Sequence, residues 1–202
     1  MLLTIFAAIA GLATLSVTEK GDETLWFNFN NHHLADWGFR FLTLFGEVYF
    51  IIPAIAFVWW KKGRANAFLM IFAMVNVAVI VQLLKRLVFA HLSRPAELIG
   101  KIHSLRTIDG VAALHFYSFP SGHTAAAFAL MFLLSSIYKH RAVTVTLFVL
   151  AVLTGISRMY LLQHFLSDVV AGALLGVVVA WIASRFFADR IAAMNFVSVR
   201  TE

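Results

Sequence analysis

Positions 65 to 84 carry no charged side chain, and most of them are Ala, Val, Ile, Leu, Met or Phe. About 20 apolar residues in a helix cross the hydrocarbon core of a bilayer, where every backbone polar group has to be satisfied within the segment itself. A run of this kind sets the folding medium, and five other segments approach or reach the same length. The spans are expected at 2–18, 41–60, 65–89, 121–138, 142–160 and 167–187. The chain therefore reads as all-α, an integral membrane bundle of about six transmembrane helices forming one domain over residues 1–202. A hydrophobic content of 61% against 13% charged residues agrees with that reading. The first span is short, and its lack of a basic leading region argues against a cleaved signal peptide. With no cysteine in the chain, disulfides and thiolate metal sites are excluded. The net charge of +6 is scattered over short loops instead of gathered in one stripe, so no nucleic acid is expected as a partner.

Tight basic turns set the orientation. Lys61, Lys62 and Arg64 form one, Lys139, His140 and Arg141 another, and both are expected in the cytoplasm. The 16 lysines and arginines otherwise divide evenly between the two sides, and the acidic residues, mostly opposite the basic turns, are weaker signals. Residues 26–41 mix aromatic with polar groups and are expected along the interface, with His32 and His33 in a wet loop and not as metal ligands. The connection over about 90–120 is long for a membrane protein, which marks it as functional or disordered.

Span parity brings three polar clusters to one side, the extracytoplasmic one. They are the end of the third span from Lys85 to Arg94-Pro95, the start of the fourth at Pro120-Ser121-Gly122-His123, and the junction from Ser157-Arg158 to His164 and Asp168. Pro-Ser-Gly is an ordinary helix start, with Ser121 at the cap. The same geometry aims free backbone N–H groups and the positive end of the helix dipole at an anion, while Gly122 lets it approach and His123 can give or take a proton. His164 and Asp168 stand four residues apart, on one helical face if the sixth span begins there. Such a pair is either a buried polar staple or a nucleophile with its ring oriented by a carboxylate. Arg158 could snorkel to headgroups, but beside Arg94 and Lys85 it resembles part of a clamp for a tetrahedral oxyanion.

Taken together, Arg94-Pro95, Pro120-Ser121-Gly122-His123, and Ser157-Arg158 followed by His164 and Asp168 resemble the type-2 phosphatidic acid phosphatase family, which shares its phosphate site with soluble vanadium haloperoxidases. The family usually places six residues between its lysine and the Arg-Pro pair, whereas eight separate Lys85 from Arg94, and Arg86 would leave seven. The resemblance implies that His164 attacks phosphorus with Asp168 holding its ring, and that His123 protonates the leaving oxygen and then activates water. It also implies that Lys85, Arg94, Arg158, Ser121 and Gly122 bind the phosphate, with no metal and no other cofactor.

The expected function is thus a lipid phosphate or diphosphate phosphatase of a bacterial inner membrane, its site facing the exterior. Its partners would be the lipid substrate and membrane lipids, with no obligatory protein partner. Undecaprenyl diphosphate, phosphatidylglycerol phosphate, phosphatidate and lipid A 1-phosphate are all candidate substrates. A phosphotransferase would use the same residues. A proton-coupled transporter or channel would spread its ionisable groups through the bilayer instead of gathering them at one face. Among smaller features, Gly172 and Gly176 form a GxxxG expected to bring two helices close, and Glu47 is expected at a water-exposed rim. His103 and His115 are expected as solvated loop residues.

Overall fold

A computed structural model describes residues 11, 13, 14, 21–29, 32–98 and 106–199. The first expected span lies mostly outside the described residues, and His103 lies wholly outside them. Every regular element among the described residues is helical. Helices α1 (Asp22–Phe29) and α2 (His33–Thr43) lead through a 3-10 turn (Leu44–Gly46) into α3 (Val48–Lys62) and α4 (Arg64–Leu83). A π turn (Leu84–Val88) ends α4, a 3-10 turn (Pro95–Leu98) interrupts the long connection, and α5 (Gly122–Tyr138), α6 (Arg141–Tyr160) and α7 (Leu166–Val199) complete the chain.

Three of these helical stretches are long and apolar enough to cross a membrane: Arg64–Val88, Arg141–Tyr160 and Leu166–Ala188. A fourth span is formed if the pair His33–Gly46 and Val48–Lys62, bent by 49°, counts as one. Helix α5 is apolar but only 17 residues long. The described residues thus supply three or four full spans where six were expected over the whole chain. The expected span 41–60 is broken because Glu47 is extended (φ −112°, ψ 163°), which stops the helix between the 3-10 turn and α3. Trp59, Trp60, Phe68, Phe72, Val75 and Val79 are exposed on α3 and α4, as side chains that face lipid would be.

Helix α5 is the hub. Ala125, Ala129, Leu130 and Leu133 are wholly buried, and α4, α6 and α7 all pack against it. The approach of α7 depends on the GxxxG. A Cβ built on Gly172 would lie 2.5 Å from the Ser121 carbonyl oxygen, and one on Gly176 would lie 2.1 Å from that of Ala125. Neither oxygen can yield without shifting the α5 backbone. A Gly176→Leu substitution is therefore expected to cost at least about 3 kcal/mol, at the upper end for overpacking, read as a lowered thermal midpoint in detergent. Gly172 meets the residue that caps α5, so this packing also places the α5 N-terminus.

Candidate active site

Ser121 begins α5 as its N-cap. Its Oγ accepts from the Thr124 N–H at 3.5 Å and shares a 2.8 Å hydrogen bond with the Thr124 hydroxyl. Its own N–H donates to the Asp168 carbonyl at 3.0 Å, which joins α5 to the start of α7. A Cβ on Gly122 would meet only Val81 Cγ1, at 3.4 Å. Packing alone therefore places little demand for glycine there. His123, in the first turn, has Nε2 3.0 Å from Glu47 Oε1.

After α6 the chain folds back over its own last turn, with the N–H groups of Gln163 and His164 both donating to the Arg158 carbonyl, at 2.9 and 3.1 Å. This turn swings His164 inward until it is 1% exposed. Its Nδ1 lies 3.4 Å from Asp168 Oδ2. The same oxygen accepts from the Ser118 hydroxyl and, at 3.0 Å, from the Phe165 N–H. Asp168 thus fixes the loop that carries His164 as much as it touches the ring. Glu23 supports the same corner, its carboxylate accepting from the Leu166 N–H at 2.9 Å at the start of α7.

The cations differ in how far they are committed. Arg94 donates from Nε to the Phe116 carbonyl at 2.9 Å and from one terminal nitrogen to both oxygens of Gln163, at 3.1 and 3.2 Å. Its other terminal nitrogen donates to the Tyr117 carbonyl at 3.3 Å. Four of the five guanidinium N–H groups are occupied by these bonds. Burial lowers the Arg94 pKa from its ordinary value, with the Asp168 carboxylate opposing. Arg158 donates to the Thr43 hydroxyl, and its buried Nε has no protein partner. Arg158 thus commits fewer of its donors to protein partners than Arg94 does. Lys85, buried in the π turn, lies within electrostatic reach of Arg94, Arg158 and Asp168. A π turn accommodates an extra residue in a helix and is frequent at functional sites, which accounts for part of the long Lys85–Arg94 spacing.

Every site residue expected from the sequence therefore falls in one region. Lys85, Arg94, Arg158 and His164 are all electrostatic neighbours of His123. A cavity of about 560 Å³ opens onto it, lined by His123, Arg158 and Glu47 and by the apolar Trp37, Phe41, Leu44 and Leu114 among others. His164 and Lys85 are buried and do not line the cavity. Among the described residues, no three His, Asp or Glu side chains converge as a metal-binding set.

Several contributors were not singled out in the sequence. Thr43, Ser118 and Gln163 carried no motif signal. Glu47, expected at a rim, is bonded to His123 and only 28% exposed in its side chain. Within the stretch 26–41, expected along the interface, residues 26–29 and 33–41 form parts of α1 and α2, which pack on α6. There Asp36 accepts from Arg106 and, at 2.7 Å, from the Tyr160 hydroxyl. Asn28 exchanges two hydrogen bonds with the Arg106 backbone, at 2.7 and 2.8 Å. This network anchors the loop whose residues Gly110 to Ala112 and Leu114 wall the cavity. His32 caps α2 by accepting from the Ala35 N–H at 3.3 Å. His115 pairs with Glu97 at 2.9 Å, and its side chain is 53% exposed.

Burial pushes the His164 imidazole well below its ordinary pKa, and Lys85, Arg158 and Arg94 push it further the same way. A neutral ring is what a nucleophile needs. The depression also has a stability consequence. Unfolded His164 takes up a proton below about pH 6.5 while the folded residue does not, so stability is full above that value and falls as pH drops below it. The slope from this one residue is about 1.4 kcal/mol per pH unit. Melting curves of wild type and His164→Asn between pH 7.5 and 5 check it, with the wild type expected to lose more stability on acidification.

The sequence profile of the PAP2 superfamily matches residues 66–192, well over half of the chain. The chain belongs to the PAP2 superfamily. The PAP2 match takes in every site residue expected from the sequence, from Lys85 to Asp168. Lipid A 1-phosphatase from Porphyromonas gingivalis is 41% identical over 87 residues, 40% of this chain and 19% of that protein. The bacitracin transport permease protein BcrC of Bacillus licheniformis is 31% identical over 145 residues, 66% of this chain and 63% of that protein. The chain thus spans about a fifth of one relative and just under two thirds of the other. Among solved PAP2-like structures, Aquifex aeolicus LpxE superposes with a TM-score of 0.69 at 28% identity, covering 85% of this chain and 98% of that one. The PAP2-type phosphatidylglycerolphosphate phosphatase of Bacillus subtilis gives 0.67 at 22% identity, covering 93% and 94%. That second likeness speaks for the fold alone.

Proposed function

We propose that this protein is a membrane lipid phosphatase that works through a phosphohistidine on His164. The observation that carries the reading is the gathering of a buried His164, His123 and Arg158 in one region, with His123 and Arg158 lining an apolar-walled cavity. Nδ1 of His164 faces Asp168, which leaves Nε2 as the attacking atom. Nε2 forms a bond to phosphorus as the bond to the lipid oxygen breaks, and His123 delivers the proton that the departing oxygen takes up. His123 then removes a proton from water, whose oxygen attacks phosphorus as the P–N bond breaks, releasing inorganic phosphate and restoring both rings. Arg158 stabilises the equatorial charge with help from Lys85, the α5 N-terminus and the remaining Arg94 N–H.

The apolar walls suit a lipid tail that enters from the side, and the relative named lipid A 1-phosphatase supports a lipid phosphate as the substrate class. Undecaprenyl diphosphate, phosphatidylglycerol phosphate, phosphatidate and lipid A 1-phosphate form the panel to test. The ionisable residues sit at the end of α4, the start of α5, the end of α6 and the start of α7, which places them at one end of the bundle. That arrangement favours hydrolysis at one face, proposed to be the exterior one, over a proton relay running through the bilayer. The test is phosphate release from each lipid by the detergent-purified protein in excess EDTA. EDTA-resistant release from at least one lipid is the expected result, and a folded protein that releases none overturns the reading.

A further inference from the structure

Glu47 stands where the expected second span breaks, immediately before α3. The break serves contact with α5. A Cβ on Gly46 would lie 2.5 Å from the His123 carbonyl oxygen, so the backbone at 46 passes directly against the turn that carries His123. From this position Glu47 Oε1 reaches His123 Nε2 at 3.0 Å, and Thr43, one turn earlier, accepts from Arg158. The Glu47 and His123 side chains are 28% and 32% exposed, and both line the cavity.

The charges around His123 make this carboxylate consequential. Arg158 approaches from α6, Lys85 from the π turn after α4, Arg94 from the long connection and His164 from the turn before α7. The first three are cations. Each half of the reaction requires His123 to carry a proton that these neighbours repel. Asp168 offers little help, because its Oδ2 is taken by Ser118 and Phe165 and by His164.

We infer that Glu47 is the positioning residue for His123. It accepts a hydrogen bond from the Nε2–H, which turns Nδ1 toward the leaving oxygen and the incoming water, and its negative charge offsets the imidazolium that the first half-reaction consumes and the second restores. This role rests on the hydrolytic reading above, although the hydrogen bond itself does not.

Two measurements on the full-length protein test it. Nitrogen-15 NMR of histidine-labelled protein reads the His123 tautomer without turnover. The wild type is expected to carry the ring proton on Nε2, and Glu47→Ala to lose that preference. A wild-type ring proton on Nδ1 overturns the inference even where lipid phosphate is hydrolysed efficiently. Kinetics of Glu47→Gln on an alkyl lipid phosphate and on p-nitrophenyl phosphate give the second readout. The alkyl oxygen needs a proton to leave and nitrophenolate does not. On the alkyl substrate kcat is expected to fall about 100-fold, the scale of general acid–base catalysis, with KM nearly unchanged and partial recovery in Glu47→Asp. The first-turnover burst of nitrophenolate is expected to survive. Equal loss of the burst and of alkyl turnover, or a raised KM with kcat intact, would place Glu47 in packing or binding and overturn the role. A wild type with the Nε2 proton that hydrolyses no substrate overturns the phosphatase reading and, with it, the catalytic half of the inference.

Discussion

Replacing His164 by alanine is expected to lower lipid phosphate turnover by at least about 10⁴-fold, since removing a covalent nucleophile removes the pathway and not merely one contact. His164 is 1% exposed and sits under a turn held by the Arg158 carbonyl, so alanine also leaves a polar-lined void. His164→Asn keeps much of the volume and is expected to be equally inactive. Melting curves of both variants separate lost chemistry from lost fold. Asp168→Asn is expected to cost less activity than His164→Asn, because the Asp168 contact to the ring is the long one at 3.4 Å, but to weaken the fold through its bonds to Ser118 and Phe165.

Arg158→Ala carries the second large effect, a loss of about 10³-fold in kcat/KM, as for removal of a principal oxyanion donor in a water-poor site. Arg158 and Arg94 look equivalent in the sequence. In the structure, Arg94 spends most of its donors on Phe116, Tyr117 and Gln163, whereas Arg158 makes one bond to Thr43 and keeps Nε unpaired. Steady-state kinetics are expected to show that Arg158→Lys recovers little, since an ammonium cannot reproduce the planar fork. Arg94→Lys is expected to lower thermal stability more than Arg158→Lys does, because the bonds it disturbs hold the long connection in place.

How much of this was legible beforehand depends on the range of the interaction. Gly172 and Gly176 announced a close helix approach because four residues is one helical turn, and the structure gives α5 as the partner, with the contacts to Ser121 and Ala125 on matching turns. The cap at Ser121 was legible for the same local reason, whereas His164 meets Asp168 from the turn before α7 and not from the face of that helix. The long Lys85–Arg94 spacing looked like a departure, and the π turn that absorbs part of it follows from packing that no local pattern records. Glu47 and His123 are separated by 76 positions, so an isolated acidic residue among aromatics gave no sign of its partner. The Asp36–Arg106–Tyr160 network was hidden likewise, and with it the packing of α1 and α2 onto α6. Their aromatic and polar mixture suits an interface as well as it suits a helix with one buried polar face.

The central claim is that phosphate passes through His164, and the stereochemical course at phosphorus tests it without depending on the lifetime of an intermediate. The lipid is prepared as a thiophosphate made chiral with oxygen isotopes, and the inorganic thiophosphate is collected after hydrolysis in isotopic water. Two in-line displacements, first by His164 and then by water, predict overall retention of configuration. Inversion would mean that water attacks the lipid phosphate directly, and would contradict the phosphohistidine account.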